Sequence, residues 1–282
     1  MKVRRPCQAG AFYAGSPTAL HAEIEECFLH RLGPGKLPKL QETGPRRILA
    51  LISPHAGYMY SGPVAAHSYY ALALDGKPAL IVILGPNHTG LGSGISIMAD
   101  GSWKTPFGNV EVDKEVAEKI LRASKLIDVD DTAHAYEHSI EVQLPFLQYL
   151  YGSAFRFVPI CMMLQDLETS QEVGAAIANA VSGIDVVLIA STDFSHYVPQ
   201  LEADRNDHLA LDAILKLDEV QLQSVVETYN ISMCGYGPVT AVITAAKQLG
   251  ASSANLLCYR TSGDVTGDRS AVVGYAAVSI VK

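Results

Sequence analysis

No stretch of the 282-residue chain approaches the roughly 18 consecutive apolar residues of a membrane span, so none is expected. Basic excess is missing too: 21 Lys and Arg against 29 Asp and Glu give a net charge of −8. Nonspecific nucleic-acid binding wants a basic surface, and so does an anionic membrane face, so both partners are excluded from the reading. Cysteine is sparse. Cys7, Cys27, Cys161, Cys234 and Cys258 are odd in number and never stand in C-x-x-C spacing, which suits free thiols in a reducing cytoplasm. The start, "MKVRRPCQAGAFYAG", puts no continuous apolar stretch behind its basic residues, so it does not read as a signal peptide. There is no G-x-x-x-x-G-K-[ST] and no G-x-S-x-G. "GLGSG" at 90–94 is followed by a strand-like segment, not by the helix a dinucleotide fingerprint requires.

What is present is a globular composition, 49% hydrophobic and 18% charged. The length suits one large domain or two small ones, and no internal repeat or long low-complexity linker divides it. After a helix expected over 17–31, started by Ser16 and Pro17, residues 32–47 read as a surface loop. Apolar runs at 48–53, 80–84, 156–160, 185–190, 255–260 and 271–281 then read as strands. They carry little alternation, as strands buried on both faces do. Helical patterns at 62–74, 113–124, 136–150, 166–181, 202–216 and 236–249 interleave with them, and Asp113 is a good N-cap. Alternation of this kind predicts a three-layer α/β/α fold with a largely parallel or mixed central sheet.

Three of the apolar runs end in a histidine. "LISPHAGYMYSG" delivers His55, "LIVILGPNHTG" delivers His88, and "VVLIASTDFSHY" delivers Asp193 and His196. Open α/β sheets bind ligands at the carboxyl ends of their strands, so these side chains could converge on one pocket. Imidazoles from separate strand ends suit a transition metal. A loop histidine on its own more often caps a turn; three at equivalent positions favour a functional pocket. In "SMCGYGP", Cys234 stands near a helix N-terminus, where a thiolate is favoured, although most free cysteines are small buried fillers. Tyr58 and Tyr60 flank the His55 loop and either line the pocket or pack on it. His134, Glu137 and His138 spell H-x-x-E-H, a zinc-protease motif. With His134 expected at a fraying helix end, this reads as a chance match. His138 and Glu141 are expected one turn apart on one face, where they either orient metal ligands from behind or merely support the helix.

"SPHAGYMYSG", "LGPNHTG", "EHSIEVQLPF", "STDFSH" and "MCGYGP" occur in the order seen in the Memo family. The resemblance runs from "AGAFYAGSP" to "AVVGYAAVSI", nearly the whole chain. It looks like the prokaryotic branch, AmmeMemoRadiSam system protein B, named for genomic association with an AMMECR-like protein and a radical-SAM protein. The resemblance implies a single domain over residues 1–282, with those two proteins as partners by association. It implies the fold of class III extradiol ring-cleavage dioxygenases, which hold non-haem iron with two histidines and a glutamate. It further implies iron or copper held by two histidines and a cysteine, matched here by His55, His88 and Cys234. Asp193 and His196 match further pocket residues with acid/base or orienting roles, and Tyr60 matches a pocket tyrosine. Phe12 stands where the animal protein has a tryptophan. That departure, with the −8 charge, argues against carrying over the animal protein's phosphotyrosine-peptide binding.

Three functions are then expected to compete. The first is a Memo-type redox-metal protein. The second is an active extradiol-type dioxygenase, against which the missing carboxylate ligand weighs. The third is a binding module that reuses a vestigial pocket.

Overall fold

The computed structural model describes residues 2–282. Four parallel strands form its centre: β1 (Ile48–Ser53), β2 (Leu80–Pro86), β3 (Arg156–Met162) and β4 (Val186–Ser191). They lie in the order β3-β2-β4-β1. Two antiparallel strands extend the β1 edge: β6 (Val272–Val281) pairs with β1, and β5 (Ser253–Thr261) pairs with β6. At the other edge β3 takes a parallel strand, Gly108–Val112, along its first half and an antiparallel one, Ile95–Ile97, along its second. The sheet is mixed, and the chain is one α/β domain with helices on both faces.

The lack of alternation in the apolar runs has its cause here. Leu80, Val82 and Leu84 of β2 enter one core, while Ile81 and Ile83 enter the other. In β4, Val186, Leu188 and Ala190 face the first core, and Val187 and Ile189 face the second. The first core is closed by the helices Lys114–Ala123, Leu167–Ala180, Gln200–Leu215, Glu219–Thr228 and Tyr236–Gln248. The second is closed by Pro17–Leu29, Tyr58–Asp75 and Leu144–Tyr151. Ser16 and Asp113 cap their helices as expected, accepting from the backbone N–H of Ala19 and Val116. No helix among the described residues is long and apolar enough to cross a membrane, and all five cysteines are free thiols.

Three expectations are corrected. The helix expected over 62–74 begins at Tyr58, because Gly57 ends the extended loop and the backbone turns at once. A helix over Glu219–Thr228, capped by Asp218, was not foreseen. The helix expected over 136–150 is broken into a short turn at Thr132–Ala135, a 3-10 turn at Glu141–Gln143 and a true helix only from Leu144. Its polar residues are bound to the neighbouring N-terminal segment and to strand ends, and these contacts outcompete a regular helix.

Because Leu188 fills the centre of the first core with no exposure, Leu188→Ala should cost about 2–5 kcal/mol of stability, readable as a lowered urea midpoint.

Candidate functional site

The parallel strands deliver their loops to one end of the sheet. His55 follows β1 by two residues, His88 follows β2 by two, and Asp193 follows β4 by two. The third imidazole near the first two is His138, from the irregular segment between the two turns at 132–143. One ring nitrogen from each of His55, His88 and His138 lies within 4.8 Å of the others. The His88 and His138 rings stack at 4.6 Å, and the His55 ring meets both edge-on at 5.2 and 5.3 Å.

Hydrogen bonding decides which nitrogens face inward. The Ser191 hydroxyl donates its hydrogen to the Ser139 carbonyl oxygen at 2.6 Å. It accepts from Gln143 Nε2 at 2.7 Å and contacts His55 Nδ1 at 2.9 Å. With its hydrogen spent, Ser191 can only accept from His55, so the His55 proton sits on Nδ1 and the lone pair lies on Nε2. Gln143 is fixed in turn by the Tyr69 hydroxyl, which donates to its Oε1, and by donation to the Pro54 carbonyl. His88 repeats the device with a carboxylate: its Nδ1 donates to Glu137 Oε1 at 2.9 Å, leaving Nε2 free. Glu137 also accepts from the backbone N–H of His88 and Ser139. Burial opposes ionisation of Glu137, but the contacts from His88 outweigh it and pull its pKa down to about 2. His138 turns Nδ1 toward the same carboxylate oxygen at 3.4 Å. Desolvation pushes His55 well below the ordinary histidine value and His138 down to about 4. Burial therefore favours the neutral form of His55 and His138, the state in which imidazole binds a metal.

Cys234 reaches the lone-pair nitrogen of His55, its Sγ 3.2 Å from Nε2. It does not join His88 and His138 in the three-residue cluster. Burial pushes its thiol above the ordinary range, as does the Asp193 charge, despite a hydrogen bond from the Asp193 backbone N–H at 3.2 Å. A helix N-terminus does not produce a resting thiolate here, because desolvation dominates. Gly235 explains the glycine in "SMCGYGP". A Cβ there would lie 2.6 Å from the Ser191 carbonyl oxygen and 2.7 Å from Thr192 Cβ, so only glycine lets Cys234 approach β4. Asp193 accepts from the His55 backbone N–H at 2.8 Å, with Oδ2 4.0 Å from His55 Nε2; burial raises its pKa to about 6. His196 donates from Nδ1 to the Ser232 carbonyl oxygen at 2.7 Å, which leaves its Nε2 as an acceptor.

The remaining expected residues separate. Phe12 lies edge-on against the His138 ring at 5.0 Å. Tyr60 sits in the first turn of its helix and packs against the small cluster of Val64, Cys258, Tyr275 and Ala277. The buried Tyr58 instead donates its hydroxyl to the Val142 carbonyl. Glu141 is not on a shared helical face with His138. It is fully buried and accepts from Arg4, from the backbone N–H of Cys7 and Gln8, and from the Tyr13 hydroxyl. His134 is buried against Trp103, its ring nitrogens without hydrogen-bond partners, so the H-x-x-E-H spelling brings no paired zinc ligands together. Sequence reasoning missed Ser191, Gln143 and Glu137 as orienting groups. The cluster of polar letters in "YEHSIEVQ", inside an otherwise apolar stretch, was the available signal.

Comparison with known proteins places these residues in context. The Memo-like protein family matches residues 4–279. A MEMO1 family protein of Methanopyrus kandleri is 54% identical over 277 residues, covering 98% of both chains. One of Methanothermobacter thermautotrophicus is 54% identical over 279 residues, covering 98% of this chain and 100% of the relative. One of Sulfolobus acidocaldarius is 48% identical over 280 residues, covering 98% of both. Among solved structures, an uncharacterized protein of Escherichia coli K12 superposes with a TM-score of 0.58 at 14% identity, over 83% of this chain and all of that one. That likeness is one of fold.

Two outcomes follow from the packing and the protonation states. Gly235→Ala should destabilise the protein by about 1–3 kcal/mol, since the new methyl meets backbone that cannot yield; urea unfolding reads this. The metal-free protein should also lose stability as pH falls below 6.5. The depressed histidines His55, His134 and His138 bind protons more readily unfolded than folded, so their contribution is complete above 6.5 and is lost toward about 4. Asp193, whose pKa is raised, works the other way below about 6 and offsets part of the loss. The urea midpoint in the presence of a chelator should therefore be lower at pH 5 than at pH 7.5.

Proposed function

The chain belongs to the Memo-like family, and we propose that its strand-end pocket binds a redox metal, iron or copper. His55 and His88 are the ligands, with His138 completing the cluster and Cys234 poised beside His55. The observation that carries this reading is the pair of fixed tautomers. Ser191 and Glu137 each hold a proton on Nδ1, so that the lone pair of His55 and of His88 lies on Nε2, with the Cys234 sulfur beside that of His55. Histidine ligands whose second nitrogen is held by a carboxylate or hydroxyl are the common arrangement around protein-bound metals. The donor set fits such an ion: imidazoles and a nearby thiol suit iron and copper better than magnesium or calcium. When bound, the metal would supply one-electron redox chemistry.

The chain's own groups would do the rest. His196, with Nε2 available, would accept a proton from a bound molecule, and Asp193 would hold the His55 loop by its backbone N–H. An extradiol-type dioxygenase would use the same acid/base group, but the three-residue cluster contains no carboxylate, which favours redox-metal binding over ring cleavage. A binding module that reuses the pocket would give the histidine tautomers no task. AMMECR-like and radical-SAM proteins remain the proposed partners, by family association.

The test is metal content, measured by mass spectrometry on untagged protein purified anaerobically. Near one equivalent of iron or copper is expected in the wild type, with loss in His55→Ala and His88→Ala. Cys234→Ala and His138→Ala decide the third ligand: whichever loses metal supplies it. No metal in the wild type, and none taken up from added Fe(II) or Cu(I), would overturn the reading. Ser191→Ala should lower metal affinity about 10–100-fold with the ligands intact, measured by competition with a chromophoric chelator.

A further inference from the structure

We propose that residues 4–13 are a built wall of the metal pocket, and that Glu141 is the positioning residue that holds it against His138. The proposal rests on the metal reading for its purpose; its geometry stands on separate observations. The Glu141 carboxylate, with no solvent exposure, gathers four donors, and all four come from this one segment. They are the Arg4 guanidinium, the backbone N–H of Cys7 at 2.8 Å, that of Gln8 at 2.9 Å and the Tyr13 hydroxyl at 2.6 Å. Between the anchored Gln8 and Tyr13, the chain turns back through Gly10, whose φ of +87° suits glycine. Phe12 is left on the side that meets the His138 ring. The Phe12 carbonyl accepts from the backbone N–H of Tyr58 at 2.7 Å, which ties the wall to the loop after His55.

Arg4 works in the other direction. Its Nε donates to the His134 carbonyl at 2.9 Å and its Nη2 to the Glu137 carbonyl at 2.6 Å. One guanidinium therefore holds the irregular backbone that carries both Glu137, which orients His88, and His138. Such a fork of planar donors is what Arg supplies and Lys does not. Phe12 closes the His138 side of the pocket to water, and the Arg4–Glu141 pair sets where that side stands.

The experiment reads shielding, with the protein free of metal so that failure of the metal reading cannot mimic failure of this one. Chelator-treated full-length protein is modified with diethyl pyrocarbonate, and the rate at each histidine is read by peptide mass spectrometry. His67, hydrogen-bonded to the Leu32 carbonyl, is the internal control. Phe12→Ala and Glu141→Gln should each raise the His138 rate several-fold and leave the His67 rate unchanged. A merely structural role for Glu141 would raise both together and overturn the positioning claim. If Glu141→Gln does not fold, Tyr13→Phe, which removes a single donor, takes its place beside Phe12→Ala. An unchanged His138 rate in the folded variants would overturn the proposal. Shielding of His138 in a wild type that takes up no metal would keep the wall and discard the metal.

Discussion

The site depends on where one hydroxyl hydrogen goes. Ser191 spends it on the Ser139 carbonyl, and from that moment the serine can only accept. His55 must then carry its proton on Nδ1, and Nε2 opens toward the cluster. The rest of the buried network serves this choice: Gln143 fills the other lone pair of Ser191, and Tyr69 fixes the amide of Gln143. Gly85 also belongs to it, because a Cβ there would lie 2.4 Å from Ser139 Oγ and displace the residue whose carbonyl takes the hydrogen. A network of this kind is favourable only when every member is satisfied, since a half-satisfied one leaves desolvated polar groups without partners. Its placement at the sheet end, where strands give way to loops, lets backbone carbonyls take part.

The second constraint is charge. Glu137 and Glu141 are both buried carboxylates four residues apart, and neither is left to burial alone. Glu141 stays ionised because Arg4 and three further donors outweigh the desolvation that would otherwise protonate it. Removing one member of such a pair strands the other, at a cost of about 3–5 kcal/mol. An apolar pair of equal volume could support the fold as well. An ion pair, unlike an apolar one, has direction. Arg4 reaches two carbonyls and a carboxylate at once and so specifies the path of the backbone from 134 to 141. That path is what turns His138 toward His55 instead of into a helix face.

The architecture was legible because its signal is local. Uninterrupted apolar runs report burial on two faces, and the Gly and Pro after them report loops, so strand ends and the residues on them could be read from residues 48–62, 80–90 and 186–196. His55, His88, Asp193 and His196 were found this way. The helix expected over 136–150 failed for the opposite reason. "YEHSIEVQLPF" has a helix-like spacing of apolar residues, but its Glu and Gln side chains are bound by groups more than forty residues distant, at Arg4, His88 and Ser191. Periodicity carries no record of such partners. His138 and Glu141 were singled out for a shared helical face that does not exist, and they serve two different structures. The family resemblance covered nearly the whole chain, but it could not say which nitrogen of each ring carries the proton.

Cys234 sets a final condition on any ion that enters. Burial and the neighbouring Asp193 keep its sulfur protonated, although a thiolate is the form that binds metal. A cation beside His55 Nε2 would change that balance, since its charge would stabilise the thiolate and displace the proton, as coordinated thiols lose theirs. Asp193, with its raised pKa, lies on the same side and is the adjacent group able to take a proton near neutral pH. Metal, thiol proton and carboxylate would then be linked in one equilibrium, while His138, held below the ordinary histidine range by burial, would have no proton to release. The pocket would thus divide into a side that presents its imidazoles as they stand and a side whose protonation would have to change on the arrival of an ion.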